Sequence, residues 1–316
     1  GNRREPEVFS KQASAIERRR ALLDSGAYAE HQVGVFAREI GRGGVRHYLV
    51  DTYAGFILCC APECDPHNSF RSLNNRLPEN AKDPAHLYEV ILESQPCWWY
   101  FDVEYSRKTN PDLDPDAAAA AFRQTLSGFC RDRLGAELDE SSMLEMISST
   151  PDKFSMHAVI KSLRRLGTQQ EQPLAFANNA QAGLLVRELM SYARSLRRER
   201  PDSCARHLFA VAPPSEAAHA ASRPQEVSII DETVYSRNRC FRLIFNSKFG
   251  KQAALRMSAP GQARQHPTAQ MLSTMASFVP ASTARFVHPL VPPDFGHTAF
   301  VSTRPRGDGG DGAGSG

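Results

Sequence analysis

Asp102 and Glu104 stand two residues apart in a run that is otherwise apolar and aromatic, Trp98-Trp99-Tyr100-Phe101-Asp102-Val103-Glu104. Side chains two apart on a strand point to the same face, so the two carboxylates would stand side by side. Charge in apolar surroundings is costly unless it is paired or used. A third acid, Asp231, closes a short apolar run at 227–230. Magnesium and manganese take oxygen ligands, commonly one or two protein carboxylates together with substrate phosphates. Three carboxylates from two segments could hold a pair of such ions and steady both the attacking and the leaving oxygen of a phosphoryl transfer. Asp-x-Glu alone is a weak signal, and a structural ion pair to an arginine is the competing reading.

Lys153, Ser155 and His157 repeat the same spacing and place a cation, a hydroxyl and a ring nitrogen on one strand face. Such a set can grip a triphosphate. Ser155 and His157 with Asp102 also suggest a hydrolase, but no Gly-x-Ser-x-Gly elbow accompanies them, and that reading is set aside. From Thr233 to Pro293 there is no Asp or Glu, while Arg237, Arg239, Arg242, Lys248, Lys251, Arg256, Arg264 and Arg285 fall inside the stretch. A solvated basic face is the commoner meaning of such a run. Its closeness to Asp231 favours a surface that faces phosphates, some residues holding a triphosphate and others a nucleic-acid backbone. Arg237 and Arg239 are expected to share a strand face, with Arg242 pointing elsewhere unless a bulge intervenes.

The chain has 316 residues, a formal net charge of +3, and 41% hydrophobic and 9% aromatic residues, enough to bury a core in one large or two small domains. No apolar run approaches the roughly 18 residues of a membrane span, and the N-terminus has no signal-peptide core. Seven scattered cysteines, an odd number, fit a reducing intracellular compartment. Cys59-Cys60-x-x-x-Cys64-x-x-His67 is irregular for a zinc site, and no cysteine follows Cys240, so no zinc is expected.

The positioning elements follow from period and punctuation. A helix is expected over 7–26, a hairpin from strands 34–40 and 45–53 around Gly41-Arg42-Gly43-Gly44, and a loop over 61–84. Strands are expected at 88–92 and 97–105. A helix capped by Asp114, with Pro115 in its first turn, runs through the alanines to about 134 and stops at Gly135. Strands at 143–149 and 154–162 follow, with Phe154, Met156 and Ala158 turned to the core. A helix over 184–200, a mobile loop over 201–225, a strand at 227–230 and a disordered tail over 301–316 complete the chain. The irregular mixture predicts an α+β (mixed α/β) fold rather than a doubly wound sheet.

Three blocks resemble the catalytic core of the PrimPol family within the archaeo-eukaryotic primase superfamily. They are His86-Leu87-Tyr88-Glu89-Val90-Ile91 with Tyr100-Phe101-Asp102-Val103-Glu104-Tyr105, Ser148-Ser149-Thr150 with Lys153-Phe154-Ser155-Met156-His157, and Asp231 to Lys251. Order and spacing agree over most of residues 6–256. The resemblance implies two α/β modules around a cleft: an N-terminal helix over 1–30 that contacts nucleic acid, a module over 31–95, and a catalytic module over 96–300 built on a palm-like sheet. It implies that Asp102, Glu104 and Asp231 are catalytic and bind two Mg²⁺ or Mn²⁺ ions. It places Tyr88, Lys153, Ser155, His157, Arg239, Arg242 and Lys248 at the nucleotide, with Tyr88 near its sugar. Arg46, Arg237, Asn238 and Lys251 would lie on the nucleic acid. The implied activity is DNA-directed DNA polymerisation from a primer 3′ hydroxyl in DNA-damage tolerance, with translesion synthesis. The alternatives are primase activity that starts chains de novo, and a non-catalytic nucleic-acid-binding module.

The partners expected are template-primer DNA and deoxynucleoside triphosphates, with ribonucleotides as the alternative. A monomer with no membrane contact, acting in the nucleus or mitochondrion, is expected. Cys240 stands where the family pattern has Asn. The zinc-binding C-terminal module with which the family starts chains is not expected here, so extension is expected ahead of initiation.

Overall fold

The computed structural model describes residues 7–60, 86–213, 225–259 and 265–295. The chain opens with strand β1 (Glu7–Phe9), helix α1 (Gln12–Asp24), the hairpin strands β2 (Val33–Gly41) and β3 (Val45–Thr52), and helix α2 (Tyr53–Cys60). Then come β4 (Leu87–Ile91), β5 (Cys97–Ser106), α3 (Pro115–Leu134), β6 (Ala136–Leu138), β7 (Met143–Ile147), β8 (Lys153–Ile160), β9 (Ser162–Arg165), β10 (Glu171–Pro173) and β11 (Ala175–Phe176). The rest is α4 (Asn179–Glu199), β12 (Phe209–Val211), β13 (Glu226–Ser228), β14 (Arg239–Arg242), β15 (Arg256–Met257) and α5 (Pro267–Thr274).

Two five-stranded sheets position the site. The first has the order β1-β3-β2-β4-β14 and the second β11-β5-β8-β7-β15, and the strands in both pair antiparallel. The fold is therefore mixed α/β with antiparallel sheets, compatible with the α+β class. Strand β14, which carries Arg239 and Arg242, joins the sheet of the N-terminal strands through β4. The two sheets therefore meet where the third sequence block crosses from Asp231 to Lys251.

Helix α3 starts and stops where its caps dictate. The Asp114 carboxylate accepts the Ala117 N–H at 2.8 Å, Pro115 opens the first turn, and Gly135 takes the left-handed conformation at φ +62°. Its buried face, with Phe122 and Phe129, packs under Trp99 and Phe101 of β5. One face of the second sheet is thus sealed by aromatic packing. The opposite face must carry Asp102, Glu104, Ser155 and His157.

A short segment after α5 bolts the sheets together. Buried Glu89 of β4 accepts the N–H groups of Ala276 at 2.9 Å and Ser277 at 2.7 Å. From the second sheet, the Trp98 backbone N–H donates to the Ala276 carbonyl at 2.9 Å and its ring N–H to Phe278 at 2.7 Å. Lys161, its ammonium 4.5 Å over the Trp98 ring, donates to the Met275 carbonyl at 3.2 Å.

Several elements differ from the sequence expectation. Residues 7–9 form a strand paired with Tyr48–Val50 rather than the start of the first helix, because β3 offers them a free edge. Residues 53–60 form α2, whose mean composition is apolar all round and so shows no amphipathic period. Helix α4 begins at Asn179, five residues early, because the Asn178 side chain caps the Gln181 N–H at 2.9 Å. Within the expected loop at 201–225, residues 204–208 form a 3₁₀ turn and β12 pairs with β13. Residues 214–224, the 61–84 loop and the tail at 301–316 lie outside the described residues.

Candidate active site

Strands β5 and β8 place Asp102 directly opposite His157, Glu104 opposite Ser155, and Ser106 opposite Lys153. Opposed residues of an antiparallel pair share a face, so one side of the sheet collects two acids, a hydroxyl, an imidazole and an ammonium. Along that face the first members, Trp98 and Tyr100, are buried apolar groups and the last are polar. Asp231 arrives from the other side of β5. Its N–H donates to the Asp102 carbonyl at 2.8 Å, and Ile230 bridges Val103 just before it. The three carboxylates therefore come from adjacent backbones.

Their buried, crowded setting shows in the proton affinity of Asp102, which rises to about 7. Burial is the main cause, and the neighbouring Glu104 and Asp231 charges add to it, while Lys248 and Lys153 act the other way. His157 is pushed well below its usual range by burial and by the charges of Arg242, Lys248 and Lys153, so it is neutral. Its ring stacks on Phe241 of β14 at 4.2 Å. Its Nε2 lies 3.7 Å from Asp102 Oδ1, too far for a hydrogen bond.

Arg242 ties the two sheets at this point. It is buried opposite Tyr88, donating to Ser148 Oγ at 2.8 Å and to the Ala253 carbonyl at 3.2 Å. Ser148 Oγ in turn lies 3.2 Å from Ser155 Oγ. Lys153 pairs with Glu104 at 2.5 Å. Lys248 is exposed at the rim, close enough for its charge to act on both Asp102 and His157.

The residues grouped from sequence thus separate. Asp102, Glu104, Asp231, Lys153, Ser155, His157, Arg242 and Lys248 gather at one place. Tyr88 and Arg46 form its wall in the first sheet, the Arg46 guanidinium lying 4.8 Å over the Tyr88 ring. Arg239 and Lys251 are exposed. Arg237 precedes β14 rather than sharing its face with Arg239, and it pairs with Glu93 at 2.8 Å. Asn238 adopts φ +48°, accepts the Glu93 N–H at 3.1 Å and receives the Gln12 side chain on its carbonyl at 3.0 Å, so its contacts are internal to the fold. Glu39 escaped the sequence reading. The signal for it was one acid ending the apolar row Val33, Val35, Ala37 on one face of β2, opposite Arg46.

The donor set can be tested against a divalent ion. Asp102 Oδ1, His157 Nδ1, and the Nε atoms of Arg242 and Arg46 are buried without a hydrogen-bonding partner in the protein. Buried polar atoms are nearly always satisfied, so these four suit a polar ligand. Among the described residues no three of His, Cys, Asp and Glu already converge as a metal cluster. The reason is local: Asp231 caps the Thr233 N–H at 2.8 Å, and Glu104 is turned to Lys153. Carboxylates are the ligand type Mg²⁺ and Mn²⁺ take, and both side chains would have to turn inward to hold such an ion.

The raised proton affinity of Asp102 has a consequence for stability. Between about 4 and about 7 the folded chain keeps a proton that the unfolded chain, with its carboxylate near 3.8, has released. In metal-free buffer this group therefore destabilises the fold progressively as pH rises through that window. Urea titrations of the wild type and Asp102→Asn are expected to diverge, the variant gaining on the wild type as pH rises. Parallel curves would remove the crowding argument.

No family model matches the chain. Three proteins named "DNA-directed primase/polymerase protein" do resemble it. The zebrafish (Danio rerio) protein is 28% identical over 203 residues, 59% of this chain and 36% of its own length. The mouse protein is 27% identical over 258 residues, 72% of this chain and 43% of its own, and the human protein 26% over 276 residues, 72% and 44%. The resemblance to PrimPol is borne out. The chain spans less than half the length of these PrimPol relatives. No helix among the described residues is long and apolar enough to cross a membrane.

Proposed function

We propose that this chain is a PrimPol-type catalytic core, a DNA-directed nucleotidyltransferase that adds deoxynucleotides to a primer 3′ hydroxyl on a DNA template. The observation that carries the reading is the register of β5 and β8, which sets Asp102 and Glu104 against His157 and Ser155 with Asp231 docked on the Asp102 backbone. The PrimPol likeness of the relatives supports it.

In this reading Asp102, Glu104 and Asp231 hold two Mg²⁺ or Mn²⁺ ions, whose charge lowers the cost of ionising the 3′ hydroxyl and of releasing pyrophosphate. Arg242 supplies a fixed guanidinium and Lys153 and Lys248 mobile ammonium groups for the triphosphate. Neutral His157, its ring held by Phe241, offers a ring N–H without adding charge. Tyr88 and Arg46 line the sugar and template side. Arg239 and Lys251, exposed in a stretch without acids, face phosphates of the template or nucleotide. The two-module core with a palm-like sheet, monomeric action on template-primer DNA, and work in the nucleus or mitochondrion during damage tolerance and translesion synthesis belong to the same proposal.

The name of these relatives also covers primase activity, which predicts dinucleotide synthesis on a bare template. A non-catalytic nucleic-acid-binding module accounts for the Glu104–Lys153 ion pair without any metal. One assay separates the three. With a labelled deoxynucleotide and Mn²⁺ or Mg²⁺, template-dependent extension of an annealed primer is expected. Product without primer would establish initiation, and no incorporation with either substrate would leave the binding module.

A further inference from the structure

Glu39 sits at the rim of the site, joined to two of its walls. Its side chain is 10% exposed. A single carboxylate oxygen accepts both the Tyr88 hydroxyl, at 2.6 Å, and the backbone N–H of Phe249, at 3.0 Å. The other oxygen faces the Arg46 guanidinium at 3.8 Å. Burial alone would push this carboxyl up, but Tyr88, the Phe249 amide and Arg46 together bring it below the usual range, so it is ionised.

What the two hydrogen bonds fix differs. Tyr88 lies opposite Arg242 in the first sheet. Phe249 belongs to the turn closed by the Lys251 N–H on the Lys248 carbonyl at 2.9 Å, with Gly250 left-handed at φ +69°. Lys248 heads that turn, and its charge acts on Asp102 and His157. Among its contacts, Phe249 also meets the His86 ring edge-on at 5.2 Å.

We propose that Glu39 is a positioning residue that sets the Tyr88 ring and the Lys248 turn to one geometry, so that the sugar wall and the triphosphate cation of the site are placed together. This rests on reading the site as one that binds a nucleoside triphosphate. Loss of the carboxylate would free the Lys248 turn and leave the buried Tyr88 hydroxyl unpaired, weakening nucleotide binding and sugar selection together. The chemical step is carried by other residues and would be little changed.

The test compares wild type, Glu39→Gln and Glu39→Leu by amide hydrogen exchange over 247–252 and by primer extension with deoxy- and ribonucleoside triphosphates. Glu39→Leu is expected to speed exchange at the Phe249 amide and to raise KM for deoxynucleotide, each by about tenfold, the loss of one or two hydrogen bonds. Discrimination against ribonucleotide should fall, and kcat should stay within about threefold. Glu39→Gln keeps one acceptor oxygen and is expected to recover most of each effect. A merely structural role would instead move kcat with KM and speed exchange across the whole first sheet. Wild-type exchange at Phe249 and wild-type KM in both variants would overturn the proposal. If Glu39→Leu does not fold, Glu39→Ala takes its place, and wild-type exchange at Phe249 with wild-type KM in that variant overturns the proposal equally. Exchange needs no nucleotide, so it still decides whether Glu39 holds the turn if the wild type fails to incorporate.

Discussion

Replacing Asp102 and Glu104 together by alanine is expected to abolish template-directed incorporation, by about three orders of magnitude or more, and to leave the thermal midpoint unchanged or raised. The first part follows from their place: they share a face of β5, with Asp231 hydrogen-bonded to the Asp102 backbone. The second follows from the burial that, with the neighbouring Glu104 and Asp231 charges, drives the Asp102 carboxyl to about 7. Removing two mutually repelling acids relieves that strain, and the Lys153 partner lost with Glu104 is substantially exposed, so the pair contributes little. Incorporation and circular dichroism melting on the same preparation check both. A double variant with near wild-type incorporation would sink the metal assignment. An unfolded double variant would mean that the acids are structural partners of Lys153 and Arg242.

The largest stability effect is expected away from the chemistry, at Glu89. Its two carboxylate oxygens each accept one backbone N–H, from Ala276 and Ser277, in a site with no solvent exposure. Burial pushes its proton affinity up, and these hydrogen bonds and the charge of Lys161 act against that. Lys161 is itself pushed well below its usual range by burial. Glu89→Leu would leave two amides unsatisfied and remove the carboxylate whose charge acts on Lys161, at a cost of about 3–5 kcal/mol. Glu89→Gln retains one oxygen but turns an amide N–H₂ toward the other backbone N–H, and is expected to cost about 1–3 kcal/mol. Urea unfolding measures both. A loss below about 1 kcal/mol in Glu89→Leu would show that the 275–278 segment does not hold the sheets together.

These predictions also show what the sequence made legible. The period-2 placement of Asp102 with Glu104, and of Lys153, Ser155 and His157, needed nothing beyond strand geometry, and the register of β5 with β8 brings both sets to one face. The Asp114 and Gly135 stops of α3 were legible for the same reason: capping is local. The missing parts are nonlocal. Glu39 meets Tyr88 across 49 residues and Phe249 across 210, and no local pattern encodes either meeting. Glu89 sat in plain view inside the apolar strand β4, but its partners come 187 and 188 residues later. Arg242 was expected to point away from Arg237 and Arg239. It does point away from Arg239, which is exposed while Arg242 is buried; what no local pattern encodes is that β14 crosses to β4 and so carries Arg242 into the site.

Anomalous diffraction from crystals holding Mn²⁺ and a non-hydrolysable deoxynucleotide tests the central claim most directly. Manganese peaks shared among the carboxylates of Asp102, Glu104 and Asp231 are expected, with Glu104 turned away from Lys153 and the triphosphate against Arg242 and Lys248. Manganese elsewhere, with the Glu104–Lys153 pair intact and no nucleotide beside His157, would contradict it.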